Sequence, residues 1–316
     1  MKRLPQKPAV WLDSDPGVDD AWAIIVAAST CEVRGLSTVA GNVPLPDTYA
    51  NARRIARELS QNAWPILPGA DQPLLSPLMT ATAYHGQTGL GDWSPNDRDS
   101  EPLDFRARVW QWWHAHAQEM ASVHLVVTGP PTNLAIGALA FPELRSLWAS
   151  VTLMGGALPG AQVDKAQEFN VYVDPHAADI VMHWIQRLQL IGLNVAHKAL
   201  IPVSDLSRLT EYGRVGTMLR HMLTFYLHKA RGEGGQADAF PIDDVVALAA
   251  VVHPEFFHWR EMPLAVVREG PLRGTVVLSP SDIRRPPVRV ATDIDVRAFR
   301  AWLWESMDAY RPQRNT

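Results

Sequence analysis

The stretch WLDSDPGVDD (residues 11–20) carries four aspartates within eight positions, Asp13, Asp15, Asp19 and Asp20, set between two apolar runs. Like charges at this spacing repel unless something positive sits among them. Asp19 and Asp20 fall in the first turn of a predicted helix, where the macrodipole favours a carboxylate by about 0.3–1 kcal/mol. That effect does not account for Asp13 and Asp15, which lie at the carboxyl end of a predicted strand, ahead of a Pro16-Gly17 turn. Hard divalent cations take several oxygen ligands, chiefly carboxylates and carbonyls. A strand–turn–helix carrying DxDxxxDD therefore reads as a metal site rather than a solvated run of charge. A second pair, Asp243-Asp244, opens an otherwise apolar helix, VVALAAVV. Capping accounts for one of the two; two adjacent carboxylates point to a further contribution to the same ion. In EFNVYVDP (168–175), an extended backbone would turn Glu168 and Asn170 to one side and Phe169 to the other. Glu and Asn together suit vicinal hydroxyls.

Short β-rich runs alternate with longer helical patterns and would position these residues. Strands are predicted at 9–12, 32–40, 122–128, 150–156 and 188–193, with helices over 18–29, 47–60, 129–140 and 174–188, the last with Asp174 as N-cap and Pro175 at N1. This alternation predicts one α/β domain over residues 1–316, a mostly parallel central sheet with helices on both faces. In such a sheet, ligands bind beyond the carboxyl ends of the strands, where the aspartates lie. The last third predicts helices over 213–230 and 241–255, a closing set of strands at 263–269, 273–279 and 286–292, and a final helix over 295–309. Segments near 70–100 and 229–241, rich in Gly, Pro, Asp and Ser, are the loosest.

The bulk composition narrows the classes. The chain has 316 residues, 47% hydrophobic and 20% charged, enough apolar material for a sizeable core. A net charge of −4 gives no reason to expect a nucleic-acid partner. Cys31 is the sole cysteine, so no internal disulfide forms; it reads as a small buried residue in a reducing compartment. Pro5 and Pro8 interrupt any secretory h-region, and no run approaches the ~20 apolar residues of a membrane span, so a cytoplasmic protein without membrane contact is expected. Trp110, Trp112, Trp113, Trp302 and Trp304 sit in helical patterns and read as core or subunit interface; His114, His116 and His124 read as structural.

DSDPGVDDA (13–21), TVAGNV (38–43), HGQTGLG (85–91), TGPPTNLA (128–135), LMGGA (153–157) and EFNVYVDPHAA (168–178) together resemble the nucleoside hydrolases, the inosine/uridine-preferring N-ribohydrolases. The motifs run in the family's order from about residue 9 to the final helix. The resemblance implies hydrolysis of the N-glycosidic bond of a small-molecule ribonucleoside to free base and ribose, with a Ca²⁺ ion that binds the attacking water and the ribose 2′ and 3′ hydroxyls. It implies Asp15, Asp20, Asp244 and the carbonyl of Thr128 as calcium ligands, Asp15 also as general base, and Asp13 as support for the loop. It places Asp19, Asn42, Glu168 and Asn170 on the ribose hydroxyls and Met154 and Phe169 in the sugar pocket, and it implies a homodimer or homotetramer. The sequence departs from the family at Asp243, where many members carry the His that protonates the leaving base; a nearby cation lowers a carboxyl's pKa and works against that role. His85 is then the first candidate for leaving-group activation and His228 the second, with Tyr226 facing the base and the Gly-rich 229–241 segment as a mobile flap over it. GLNV (192–195) stands where GLDV is usual. Two other readings are a haloacid-dehalogenase-type phosphatase, which needs Thr or Val where Gly17 stands, and a ribose- or nucleoside-binding protein that has lost turnover.

Overall fold

AVWLDS forms β1 (Ala9–Ser14), and its alternation builds both sides of the core: Val10 and Leu12 join one buried cluster, Trp11 the other. Described in this computed structural model are residues 7–91, 93, 108–158, 167–232, 238–280 and 285–312. Seven further strands complete the main sheet: β2 (Glu32–Thr38), β3 (Ile66–Pro68), β4 (His124–Val127), β5 (Ser150–Met154), β6 (Leu188–Ile191), β7 (Phe257–Met262) and β8 (Val288–Ile294). Their order is β3-β2-β1-β4-β5-β6-β8-β7, all parallel except β7, which runs antiparallel to β8 at one edge. From β1 the chain builds outward through β2 and β3, then returns to place β4 on the other side. The carboxyl end of β1 is therefore the switch point, where an open α/β sheet leaves a crevice.

The principal helices are α1 (Val18–Thr30), α2 (Leu45–Glu58), α3 (Val109–Ala115), α4 (Thr132–Ala140), α5 (Pro175–Trp184), α6 (Gly213–Gly232), α7 (Asp243–Val252) and α8 (Val296–Met307). One face of the sheet packs against α1, α2, α6, α7 and α8 through residues such as Trp22, Ile55, Leu219, Leu248 and Phe299. The other packs against α3, α4 and α5 through Trp113, Leu134 and Val181. Helices on both faces of a mostly parallel sheet match the expectation. Asp174 caps α5, accepting the Ala177 N–H at 3.0 Å ahead of Pro175. Trp113, Trp302 and Trp304 are buried, and Trp110 and Trp112 pack against the core. His114 stacks on Phe141, His116 stacks on Trp112, and His124 Nδ1 lies 2.8 Å from Ser150 Oγ, so all three are structural. Cys31 is buried and unpaired. No helix among the described residues is long and apolar enough to cross a membrane.

Four local readings are corrected. Residues 169–173 are a short helix, not an extended run: Glu168 caps it, accepting the N–H groups of Asn170 and Val171. The predicted closing strands do not all join the sheet. Leu264–Val266 and Val276–Leu278 pair only with each other as a separate ribbon, while β8 and the unpredicted β7 enter the sheet. The helix predicted over 241–255 ends at Val252, ahead of a short 3₁₀ turn. The strand β3 and the 3₁₀ segment Val203–Tyr212 were also not predicted. Part of the expected loose segments, residues 92, 94–100 and 233–237, lies outside the described residues, as does the centre of the proposed 229–241 flap.

Candidate active site

The aspartate loop is built by β1 ending at Ser14 and α1 starting at Val18, with Gly17 between as N-cap. Asp13, Asp15 and Asp20 each have their own hydrogen-bonded tether. Asp20 Oδ1 accepts from Ser14 Oγ (2.6 Å) and Thr128 Oγ1 (2.8 Å); its Oδ2 accepts from the Gly17 N–H (2.9 Å) and Asn42 Nδ2 (3.2 Å). Asp15 Oδ2 accepts the Asn42 N–H at 2.6 Å, while its buried Oδ1 has no partner. Asp13 faces away from this cluster and accepts from Ser37 Oγ (2.6 Å) and Asn133 Nδ2 (2.7 Å), bolting β1 to β2 and α4. Burial raises its pKa to about 7. Such packing leaves no room for side chains at two neighbours. A Cβ on Gly17 would sit 2.6 Å from His85 Nδ1, and one on Gly41 would sit 2.0 Å from Asp15 Oδ2.

The α7 N-terminus packs beside that of α1 and delivers Asp243 and Asp244. One oxygen each from Asp19, Asp20 and Asp244 lies within 4.8 Å of the others. Burial first, and then Asp20 and Asp19, hold Asp15 well above the usual carboxylate range. Burial, Asp20 and Asp243 do the same to Asp19; burial, Asp19, Asp20 and Asp15 do it to Asp244. The neighbouring charges behind these shifts are all negative. Buried carboxylates crowded in this way, one with an orphaned oxygen, stay folded only with protons or a cation among them. The residues present thus fit a divalent metal. The converging N-termini of α1 and α7 ease the repulsion only in part.

Above the cluster opens a cavity of about 520 Å³. Asp19, Asn42, Thr128, Met154, Glu168, Phe169 and Asn170 line it. Asp15 and Asp20 lie fully buried beneath its floor. Asn170 Nδ2 donates to the carbonyls of Thr128 (2.7 Å) and Met154 (3.3 Å), joining the ends of β4 and β5. Glu168 accepts three backbone N–H groups, of Asn170, Val171 and Gly156, and burial nevertheless raises its pKa to about 7. His85, Tyr226 and Asp243 also line the cavity, the rings of His85 and Tyr226 lying 6.2 Å apart. His85 Nδ1 accepts the Val18 N–H at 3.1 Å, which leaves the ring proton on Nε2; burial lowers its pKa to about 4. The Tyr226 phenol is raised by burial and by Asp19 and Asp243. His228 is corrected: it is exposed on α6 and does not line the cavity.

Several lining residues escaped the sequence reading. Tyr84 and Met79 form one rim and Gln167 and Tyr172 another. Tyr84 adjoins the quoted HGQTGLG motif and Gln167 adjoins EFN, so adjacency was the signal available. His197, whose Nε2 lies 3.7 Å from Asp243 Oδ2, gave no sequence signal. Asn194, at the departure from GLDV, is structural: its Oδ1 accepts the Leu158 N–H at 3.3 Å and its Nδ2 donates to the Ala291 carbonyl at 3.2 Å, a bond a carboxylate could not make.

A doubly wound sheet with a carboxylate-floored, aromatic-rimmed cavity at its switch point defines an α/β enzyme for a small polar substrate. The sequence pattern of the inosine-uridine preferring nucleoside hydrolases matches residues 10–301. The pyrimidine-specific ribonucleoside hydrolase RihA of Klebsiella pneumoniae is 32% identical over 296 residues, covering 92% of this chain and 95% of that protein. RihA of an Escherichia coli O7:K1 strain is 32% identical over 307 residues, covering 95% and 98%. The plant nucleoside hydrolase PpNRh1 superposes with a TM-score of 0.88 at 27% identity, covering 96% of this chain and 99% of that one. A purine-preferring ribonucleoside hydrolase from Gardnerella vaginalis gives 0.88 at 25%, covering 96% and 98%. The chain belongs to the inosine-uridine preferring nucleoside hydrolase family and is an N-glycosyl hydrolase.

Proposed function

We propose that this protein is a calcium-dependent ribonucleoside hydrolase that cleaves the bond between base and ribose. The observation that carries this reading is the convergence of Asp19, Asp20 and Asp244, from both halves of the chain and with Asp15 close enough to raise the Asp244 carboxyl, at the floor of a cavity of nucleoside size. Asp15, Asp20, Asp244 and the Thr128 carbonyl would hold the ion. An all-oxygen, carboxylate-rich set of this kind suits Ca²⁺, which accepts flexible geometry, better than Mg²⁺. When bound, the ion supplies a Lewis acid that lowers the pKa of water and orients the sugar diol.

The chain's own groups do the rest. Asp15 takes the proton from the attacking water through its unpartnered Oδ1. Asp19, Asn42, Glu168 and Asn170 hold the ribose hydroxyls, with Met154 and Phe169 against the ring. The surrounding carboxylates stabilise the positive charge that grows on the ribose as the base departs. His85, neutral and pinned through Nδ1, offers its Nε2–H to the leaving base. The buried free thiol of Cys31 supports a cytoplasmic location.

Ribose release from inosine, adenosine, uridine and cytidine, with added Ca²⁺ and with chelator, tests the proposal. Calcium-dependent release from at least one nucleoside is expected. Nucleoside binding without release over hours would turn the reading to a binding protein. Phosphate release from p-nitrophenyl phosphate in its place would turn it to a phosphatase.

A further inference from the structure

Asn51 sits in the interior of α2 with no exposed surface. Asparagine is a poor helix former, because its side chain competes with the backbone for hydrogen bonds. A buried amide needs partners, and the donors of this one reach outside its own helix. Nδ2 donates to the Pro16 carbonyl at 3.0 Å and to the Thr88 carbonyl at 2.6 Å, while Oδ1 accepts from Arg54 Nη1 at 3.2 Å. Carbonyls only accept and a guanidinium only donates, so the amide has a single orientation.

The two carbonyls belong to the two loops that must meet at the cavity. Pro16 precedes Gly17 in the aspartate loop, and Thr88 follows His85 in HGQTGLG. On the other side of Gly17, the Val18 N–H donates to His85 Nδ1 at 3.1 Å. Asn51 thus closes a ring that runs from Pro16 to Val18, across to His85, along the turn to Thr88 and back. The Gly91 N–H donates to the His85 carbonyl at 2.7 Å, so a shift at Thr88 is passed on to His85. The seam is tight at both ends. Gly89 has φ +92°, and a Cβ there would lie 2.9 Å from Asn51 Nδ2 and 3.1 Å from the Pro16 oxygen. A Cβ on Gly91 would lie 2.8 Å from the Met222 oxygen of α6, the helix that carries Tyr226. The bond from Val18 fixes the tautomer of His85 but leaves the ring free to pivot about one contact; the attachment through Thr88 removes that freedom. Asp15 and Asp20 keep their own tethers to Asn42, Ser14 and Thr128, so loss of Asn51 displaces His85 more than it displaces the carboxylates.

Resting on the reading of His85 as donor to the leaving base, we propose that Asn51 is a positioning residue for that donor. By holding Pro16 and Thr88 together, it sets where His85 Nε2–H stands over the aspartate floor.

The test compares calcium-loaded wild type, Asn51→Ala, His85→Ala and the double variant, on the best natural ribonucleoside and on p-nitrophenyl riboside. Asn51→Ala should lower kcat on the natural nucleoside about tenfold to 100-fold, with KM within about threefold of wild type. It should lower kcat on p-nitrophenyl riboside less than about threefold, and calcium affinity should stay within about threefold. Added to His85→Ala, it should slow the natural substrate less than about threefold further, because residues that act through one group are not additive. Where a melting curve shows Asn51→Ala to be poorly folded, Arg54→Met carries the test: it removes the donor that orients the amide and should give the same substrate split at about threefold or more. Absence of the split there would count against the inference. Equal losses on both substrates in Asn51→Ala, losses that multiply in the double variant, or a fall in calcium affinity that matches the fall in rate would overturn it while leaving His85 as the donor. Equal losses on both substrates in His85→Ala would instead remove the donor reading, and no ribose release by the wild type from any nucleoside would remove the hydrolase reading itself.

Discussion

If His85 is the proposed donor to the leaving base, replacing it by alanine separates leaving-group activation from the rest of the reaction. His85 Nδ1 is engaged by the Val18 N–H at 3.1 Å, and burial depresses the imidazole pKa to about 4, so at neutral pH the ring is uncharged with one proton on Nε2. In the proposed mechanism the substitution removes one positioned donor aimed at charge developing on the base. Loss of a single such donor in a water-poor site lowers rates about 100-fold to 1000-fold. That loss should appear in kcat/KM for natural nucleosides, followed by ribose release. p-Nitrophenyl riboside leaves as a stable phenolate and needs no donor, so His85→Ala should slow it less than about tenfold. A melting curve of the variant controls for the space opened against Gly17. Equal losses on both substrates would refute the role of His85. So would a wild-type rate on natural nucleosides that falls through pH 6–8 in step with an imidazolium losing its proton.

Other consequences follow from the same geometry. Asp15→Ala should abolish cleavage of p-nitrophenyl riboside, by about 1000-fold or more, since the general base and a metal ligand go together; retained turnover would remove Asp15 from the base role. Gly17→Ala drives a methyl against His85 Nδ1 and Asn42 Nδ2, at 2.6 and 2.7 Å, and should cut kcat/KM on natural nucleosides at least about tenfold; wild-type kinetics would show that the turn relaxes freely. Stability should also depend on pH in the chelated protein. Asp13 and Glu168 are raised to about 7, chiefly by burial. A carboxyl whose folded pKa is raised keeps its proton in the folded chain after the unfolded chain has released it. Stability is therefore greatest below the unfolded pKa, near ~4, and declines as pH rises toward ~7. The Tm of chelated protein should fall between about pH 5 and pH 7, and Ca²⁺ should reverse the fall. A Tm that rises across that window would contradict the burial of these groups as acids.

How much of this was legible in the sequence depends on how local each cause is. The DxDxxxDD loop was legible because a strand, a Pro-Gly turn and a helix are all specified within twelve residues, and no other arrangement buries the flanking apolar runs. The arrival of Asp244 from more than two hundred residues away was signalled by the paired carboxylates at the start of α7, but only family resemblance singled out Asp244 of the two. The short helix Phe169–Val173 was misread because Phe, Val and Tyr favour strands; one buried capping carboxylate, Glu168, settles the matter against propensity. The edge strand β7, FHWREM, was missed because it is largely exposed and its polar residues hide the alternation. The three-residue β3, ending in Pro68, was too short to register. His228 looked like a site residue in sequence, but the pitch of α6 turns it outward, and only three-dimensional packing could place His197 beside Asp243.

The central claim is that Asp15, Asp20 and Asp244 hold one calcium ion on which the chemistry depends. Calorimetric titration of Ca²⁺ into chelator-treated protein measures this directly, with Asp244→Asn and Asp20→Asn alongside the wild type. One tight equivalent is expected in the wild type, with affinity weakened about 100-fold or more in each variant. Calcium binding that is absent, or that is left unchanged by both substitutions, would contradict it.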